Sequence, residues 1–204
     1  MRDLPKFYDN LDLTLEEIKY LLTRGIKDRK SCFHYTVLST INNEFPESRT
    51  VILRNFNEEN FELNIHSDLR SKKINQIIKN KNISCLFYDD KKKIQIRING
   101  QAEIEKSYKP SWEKLTNWSK RCYLSTAQPG TEVTEPSSGF PDKFINDSPN
   151  NEDSIKGLKN FSVIRIVIRR IEWLYLASQG HRRANYEIVR KNSSIKVIKK
   201  WLVP

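Results

Sequence analysis

Four short stretches of this chain carry side chains able to grip an anion or a planar polar ring. Ser67-Asp-Leu-Arg-Ser-Lys-Lys73 offers two hydroxyls, one guanidinium and two ammonium groups. It stands where a strand-like run gives way to a helical one. Free backbone N–H groups at a helix start, joined by adjacent cations, form a phosphate site. The same stretch also reads as an ordinary solvated helix start. Arg49-Thr-Val-Ile-Leu-Arg54 brackets an apolar strand with two guanidinium groups. Strict alternation sends side chains five residues apart to opposite faces, so these two arginines meet one ligand only at a strand end or a bulge. Gln95-Ile-Arg-Ile-Asn-Gly100 puts Gln95 and Arg97 on one strand face and Ile94, Ile96 and Ile98 on the other. That polar face either hydrogen-bonds a planar heterocycle or meets water. Gly180-His-Arg-Arg183 completes the set, as a grip for a substrate phosphate or as a basic turn.

Other chemistries find no footing. The sequence holds no G-x-x-x-x-G-K-[ST], no G-x-G-x-x-G and no G-x-S-x-G. His34, His66 and His181 are scattered without H-x-x-x-H or H-E-x-x-H spacing, so no metal is expected. Glu58-Glu59 and Asp89-Asp90 lie in turn-like segments and read as solvated surface. No single residue declares itself as a catalytic acid, base or nucleophile.

These stretches need a frame to hold them. The chain has 204 residues, 37% of them hydrophobic, enough for one sizeable core in a single domain spanning 1–204. Lysine and arginine outnumber acids by 36 to 25, a net +11 that favours anionic partners without choosing among them. Nucleic acid is the weaker choice, because the aromatics fall on apolar faces and no recognition motif appears. Cys32, Cys85 and Cys122 show no C-x-x-C pairing, and Cys32 and Cys85 sit in strand-like runs as buried thiols. The opening Met1-Arg-Asp-Leu-Pro has no apolar signal region, and no apolar run reaches membrane-spanning length, so a cytoplasmic setting is expected.

Periodicity predicts a helix over 13–22, with Thr14 and Glu17 at capping-box spacing. Strands follow over 32–38, 49–54 and 61–67, the last two joined by a polar turn at 55–60. Ser71 opens a second helix, then come strands at 83–88 and 94–104. Pro110 starts a helix carrying Trp112, Leu115 and Trp118 in near register. Residues 125–159, rich in Pro, Gly and Asn, read as a flexible insertion. Strands return over 161–176, near 186–189 and at 195–202. Six to eight strands with hairpin-length connections predict a mainly β, largely antiparallel barrel with short outer helices. Too few helices are present to link parallel strands.

Taken in order, Arg-x-Val-x-Leu-Arg, Ser-Asp-x-Arg-Ser-x-Lys and Gln-x-Arg-x-x-Gly-x-Ala-Glu resemble the core of the pyridoxamine 5'-phosphate oxidase-like proteins, in their divergent oxidase-related branch. The resemblance runs from Arg49 to Glu105 and resumes at Ile171-Glu-Trp, His181-Arg-Arg183 and the closing Leu202-Val-Pro204. It implies an antiparallel split β-barrel that binds FMN and works as a homodimer with shared flavin sites. By that resemblance Arg49 and Arg54 contact the FMN ribityl phosphate and ring edge, and His66 and Ser67 lie against the flavin. Lys72 and Lys73 grip the phosphate, and Gln95 hydrogen-bonds the ring system from the neighbouring subunit. Arg182 and Arg183 would hold a phosphorylated substrate. The chain departs from the family pattern at Ala127-Gln-Pro-Gly130, where a Gln-Ser pair is usual, and at Asn185, where a second arginine falls. Trp173 approximates the tryptophan that packs near the flavin. The implied activity is FMN-dependent oxidation of a small substrate, and the alternative is a flavin-binding module without turnover, for storage or sensing.

Overall fold

The computed structural model describes residues 4–192 and 194–204; Met1 to Asp3, part of the opening segment read above, lie outside the described residues. The first helix, α1 (Leu11–Lys27), starts earlier than the capping-box spacing predicts. The Asn10 side chain accepts from the backbone N–H groups of Asp12 and Leu13, which supplies the cap. Thr14 is instead buried, its hydroxyl turned back to the carbonyls of Phe7 and Asn10. Leu15, Ile18, Leu21 and Leu22 form the buried stripe, as their spacing requires.

Alternating residues then build β1 (Tyr35–Asn42) and β2 (Phe45–Asn57), a hairpin in register from Tyr35–Ile52 to Asn42–Phe45. The predicted start of this strand at Cys32 is a 3-10 turn over Cys32–His34, capped by the Ser31 side chain, so Cys32 is half-buried and only Cys85 is the fully buried thiol. After β3 (Glu62–Asp68) come α2 (Lys72–Lys79), β4 (Asn82–Asp89) and β5 (Ile94–Lys106). The single helix predicted from Pro110 is two, α3 (Lys109–Glu113) and α4 (Asn117–Lys120). Thr116 ends the first by capping the second, its hydroxyl accepting from the Ser119 N–H. Trp112 is therefore buried while Trp118 is exposed beneath the Arg121 guanidinium.

The tract 125–159 contains a 3-10 turn at Asp142–Phe144 and α5 (Asn151–Ile155). It is tied down by Arg121 donating to the carbonyls of Phe144 and Ile145 and by Arg70 donating to the Ser125 carbonyl at 3.0 Å. The chain ends in β6 (Phe161–Tyr175), β7 (Arg182–Lys191) and β8 (Ser194–Leu202).

All pairings are antiparallel. The order β3-β2-β1-β4-β5-β6 closes on itself through β3–β6, giving a six-strand barrel, and β7 and β8 extend from β6. The first half of β6, Phe161–Val167, pairs with β3, and the second, Arg170–Tyr175, pairs with β7. β5 follows β6 along its whole length, and the register slips at Asn99/Gly100, where the sheet divides. This is a split barrel with short helices outside, as expected. Its interior holds Leu38, Leu63, Ile65, Phe87, Ile98 and Trp173, all essentially without solvent contact. Each such side chain stabilises the fold by about 1.5–3 kcal/mol. Among the described residues no helix is long and apolar enough to cross a membrane.

Gly100 sits where two backbones nearly touch: a Cβ there would stand 2.5 Å from the Val167 carbonyl oxygen. Gly100→Ala is expected to cost at least about 2 kcal/mol, since neither backbone can yield cheaply. Urea denaturation measures it, and a loss below about 0.5 kcal/mol would contradict the close approach.

Candidate functional site

The junction of β3 and α2 gathers three cations, Arg70, Lys72 and Lys73, around one acid, Asp68. Ser71 occupies the N-cap position of α2 with extended backbone but makes no side-chain cap bond. Its hydroxyl donates to the Asp68 carbonyl at 2.8 Å and meets the Ser67 hydroxyl at 3.1 Å. The Lys73 ammonium donates to both, at 3.1 Å to Ser71 and 3.3 Å to Ser67. Asp68, the nearby acid, is clamped by Arg70 through Nε at 3.0 Å and Nη2 at 2.7 Å. Among the described residues Lys73 has no ion-pair partner, only two neutral hydroxyls. Burial lowers its pKa and the Arg49 charge lowers it further, against a smaller opposing pull from Asp68. A helix start with no side-chain cap, beside a half-buried ammonium that has no ion-pair partner among the described residues, is a place an anion stabilises.

Arg49 borders this cluster from β2. Its guanidinium donates to Thr40 Oγ1 at 2.5 Å, Gln76 Oε1 at 3.2 Å and the Leu38 carbonyl at 3.3 Å, and faces Glu47 at 3.4 Å. Five residues on, Arg54 lies on the opposite, outer face of the sheet, as alternation predicts. The register slips between Leu53 and Asn55, so Arg54 is the extra residue of a bulge. The bulge does not bring the two arginines together. It aims Arg54 into a cleft of about 340 Å³ shared with Asn64, His66, Tyr108, Ser111 and Lys114.

None of those six side chains makes a hydrogen bond to another described residue. Arg54 Nε and His66 Nδ1 are buried with no partner among the described residues. His66 packs edge-on against Phe161, 5.0 Å between ring centres. Burial, aided by the Arg54 charge, brings its pKa down to about 4, so the ring is neutral at neutral pH. Unpaired buried donors and acceptors are costly unless a ligand or water completes them.

The remaining expected residues fall elsewhere. Lys72, exposed at the first turn of α2, reaches toward the 125–130 loop: a Cβ on Gly130 would lie 3.8 Å from Lys72 Cε. That places the Gln128 segment near the cluster. Gln95 faces outward on β5, level with Tyr88 and Leu174. β2 and β5 are opposite one another in the six-strand ring, so Gln95 stands across the barrel from Arg49. Arg182 is held by Asp9, Nε to Oδ1 at 2.6 Å, and covers the Tyr8 ring. Arg183 donates to Glu172 at 2.8 Å, and Arg97 binds the same carboxylate oxygen. Burial raises the Glu172 pKa, but Arg97 and Arg183 outweigh it and hold the carboxyl below its usual range. Asn185 is buried opposite Glu172, and Trp173 stays inside the core.

Sequence reasoning missed Tyr108, Ser111 and Lys114. Their i, i+3, i+6 spacing across α3 was a legible sign of one polar helix face.

Residues 16–106 match the family described as pyridoxamine 5'-phosphate oxidase, FMN-binding domain. The chain is 32% identical over 128 residues to pyridoxine/pyridoxamine 5'-phosphate oxidase 2 of Arabidopsis thaliana, covering 60% of this chain and 64% of that relative's length. Two solved structures share its fold over nearly all of both chains. One is a pyridoxamine 5'-phosphate oxidase-related, FMN binding protein from Nostoc punctiforme PCC 73102 (TM-score 0.73, 20% identity, 99% of this chain and 100% of that one). The other is PhzG from Burkholderia lata 383 in complex with tetrahydrophenazine-1-carboxylic acid (TM-score 0.71, 18% identity, 100% and 99%). The fold is that of a split β-barrel, shared with both of these structures. The likeness to the pyridoxamine 5'-phosphate oxidase FMN-binding domain family spans residues 16–106, a little under half of the chain.

His66 yields a pH test. Its pKa is about 4 in the folded chain against 6.5 for the free side chain. The fold therefore favours the neutral ring, and stability is full above pH 6.5 and falls as pH drops toward 4, by roughly 2–3 kcal/mol. His66→Gln should flatten that part of the stability–pH profile, and an unchanged slope would contradict the burial of a neutral ring.

Proposed function

We propose that this chain is an FMN-dependent oxidoreductase acting on a small phosphorylated or otherwise anionic substrate. The observation that carries the reading is the half-buried Lys73 ammonium at the start of α2, without an ion-pair partner among the described residues, together with the cleft of unpaired polar groups around Arg54. Lys73 and Arg49 would neutralise the flavin phosphate, with the Ser67 and Ser71 hydroxyls and the first N–H groups of α2 orienting it. Lys72 would close over it beside the Gln128 loop. When bound there, FMN would supply hydride acceptance and onward electron transfer.

The chain's own part is to bind, orient and exclude water. Arg54 lies where it meets either the flavin edge or the substrate, and Lys114 and Tyr108 extend the same cleft. The neutral His66 ring offers one hydrogen bond without adding charge. Arg182 and Arg183, expected to take a substrate phosphate, are already neutralised by Asp9 and Glu172, so the free cations of the Arg54 cleft are the better anchor. Those closed ion pairs also favour the second reading, a flavin-holding module without turnover.

A homodimer completes this picture. Gln95 lies on the far side of the ring from the phosphate cluster, so its part in a flavin site requires a second copy. The outer face around it exposes Tyr35, Leu86 and Tyr88, the apolar surface a two-fold interface covers. The unpaired cysteines suit a reducing, cytoplasmic compartment.

The first experiment is the visible spectrum of the purified protein after adding FMN and desalting. Retained flavin is expected, and a colourless protein would overturn the cofactor assignment. Lys73→Ala should weaken FMN at least about tenfold, the loss of one charge-assisted contact. Oxygen uptake with pyridoxamine or pyridoxine 5'-phosphate then separates oxidase from holding module. In an active enzyme Arg54→Ala raises KM about tenfold. Arg182→Ala leaves it within about twofold, because that side chain is already paired. Light scattering should report a dimer, and a monomer removes the shared role of Gln95.

A further inference from the structure

We propose that the 125–159 tract builds a second anion site, distinct from the Arg54 cleft, for a small phosphate ester. The tract folds against the Arg70 loop and encloses a pocket of about 530 Å³. Four cations line it, Arg70, Lys143, Lys156 and Lys159, against one carboxylate, Asp153. That imbalance is arranged rather than scattered. Asp153, with its side chain mostly covered, receives Lys143 at 2.9 Å on one oxygen and Lys156 at 2.6 Å on the other. One acid thus holds two ammonium groups side by side, each with N–H donors left over. Lys159 has no partner among the described residues. Arg70 is fixed by its fork onto Asp68 and by its bond to the Ser125 carbonyl, and its remaining N–H groups are unassigned.

The floor is apolar. Phe144 is buried beneath the Lys143 ammonium, 4.7 Å from the ring centre. Its backbone is pinned by Arg121 bonding to the Phe144 carbonyl at 2.9 Å, so the floor is a placed element of the pocket. A charged rim over an aromatic floor fits a phosphate carried on a compact, flat body. Phe161 separates this pocket from the Arg54 cleft: its ring meets His66 on one side and Tyr123, a pocket residue, on the other, both at 5.0 Å. The inference uses no property of the flavin, so it stands or falls apart from the cofactor assignment.

Calorimetric titration of the full chain, saturated with FMN, against phenyl phosphate and inorganic phosphate tests it. Saturable binding of phenyl phosphate is expected, tighter than that of inorganic phosphate. Lys143→Gln/Lys156→Gln should weaken it by about tenfold or more, with the flavin spectrum and melting temperature unchanged. Lys159→Gln, at an exposed and unpartnered position that no fold contact needs, should weaken it by about threefold. Arg54→Gln should leave this binding intact. Absence of saturable binding, equal affinity for the two probes, or loss through Arg54→Gln in place of the lysine variants would each overturn the site.

Discussion

A six-strand ring with two further strands attached requires one strand to serve two sets of neighbours, and β6 does so. Its first half closes the barrel on β3 and its second half carries β7, while β5 runs beside both. The division demands a slip of register, and the slip demands a residue without a side chain, which is Gly100 facing the Val167 carbonyl. The position of every polar feature follows. β3 ends where β6 begins, so the strand-to-helix turn of Ser67 to Lys73 is fixed at the rim, with the Ser162 hydroxyl donating to the Ser67 carbonyl at 2.9 Å. The outer face of β3 is covered by Trp112, Tyr123 and Phe161, and His66 is half-buried against that cover.

Charge is handled in two ways. Arg182, Arg183 and Arg165 each meet carboxylates. Among the described residues Lys73, Arg54 and Lys114 do not, although Lys73 and Arg54 are partly withdrawn from water. Desolvating a cation without a partner destabilises a fold, and such groups persist where a ligand makes good the loss. The net +11 is therefore less telling than its distribution, because most of the basic side chains are solvated or paired.

Much of this was legible in the sequence. Strand alternation located β3, β4 and β5 closely, because one face of each is the more buried, whereas β6, buried on both faces along its first half, was legible as a long apolar run. The Ser67–Lys73 segment could be read as a cationic strand-to-helix junction, and the opposite facing of Arg49 and Arg54 followed from spacing alone. Local substitutes for the expected signals were harder. Asn10 capped α1 in place of Thr14, and Thr116 cut one helix into two. Least legible were partners set by the tertiary fold. Asp9 reaches Arg182 across 173 residues, and Tyr108 to Lys114 join Arg54 only when α3 folds onto the outer face.

The long wait for β6 also shapes how the molecule comes into being. The Ser162 to Ser67 contact spans 95 residues, so on a ribosome the ring stays open on the order of ten seconds after β3 has emerged. During that interval β3 and β5 both present unpaired edges, the geometry that recruits neighbouring chains. Until synthesis passes Val167, those two edges have no partner strand within the chain.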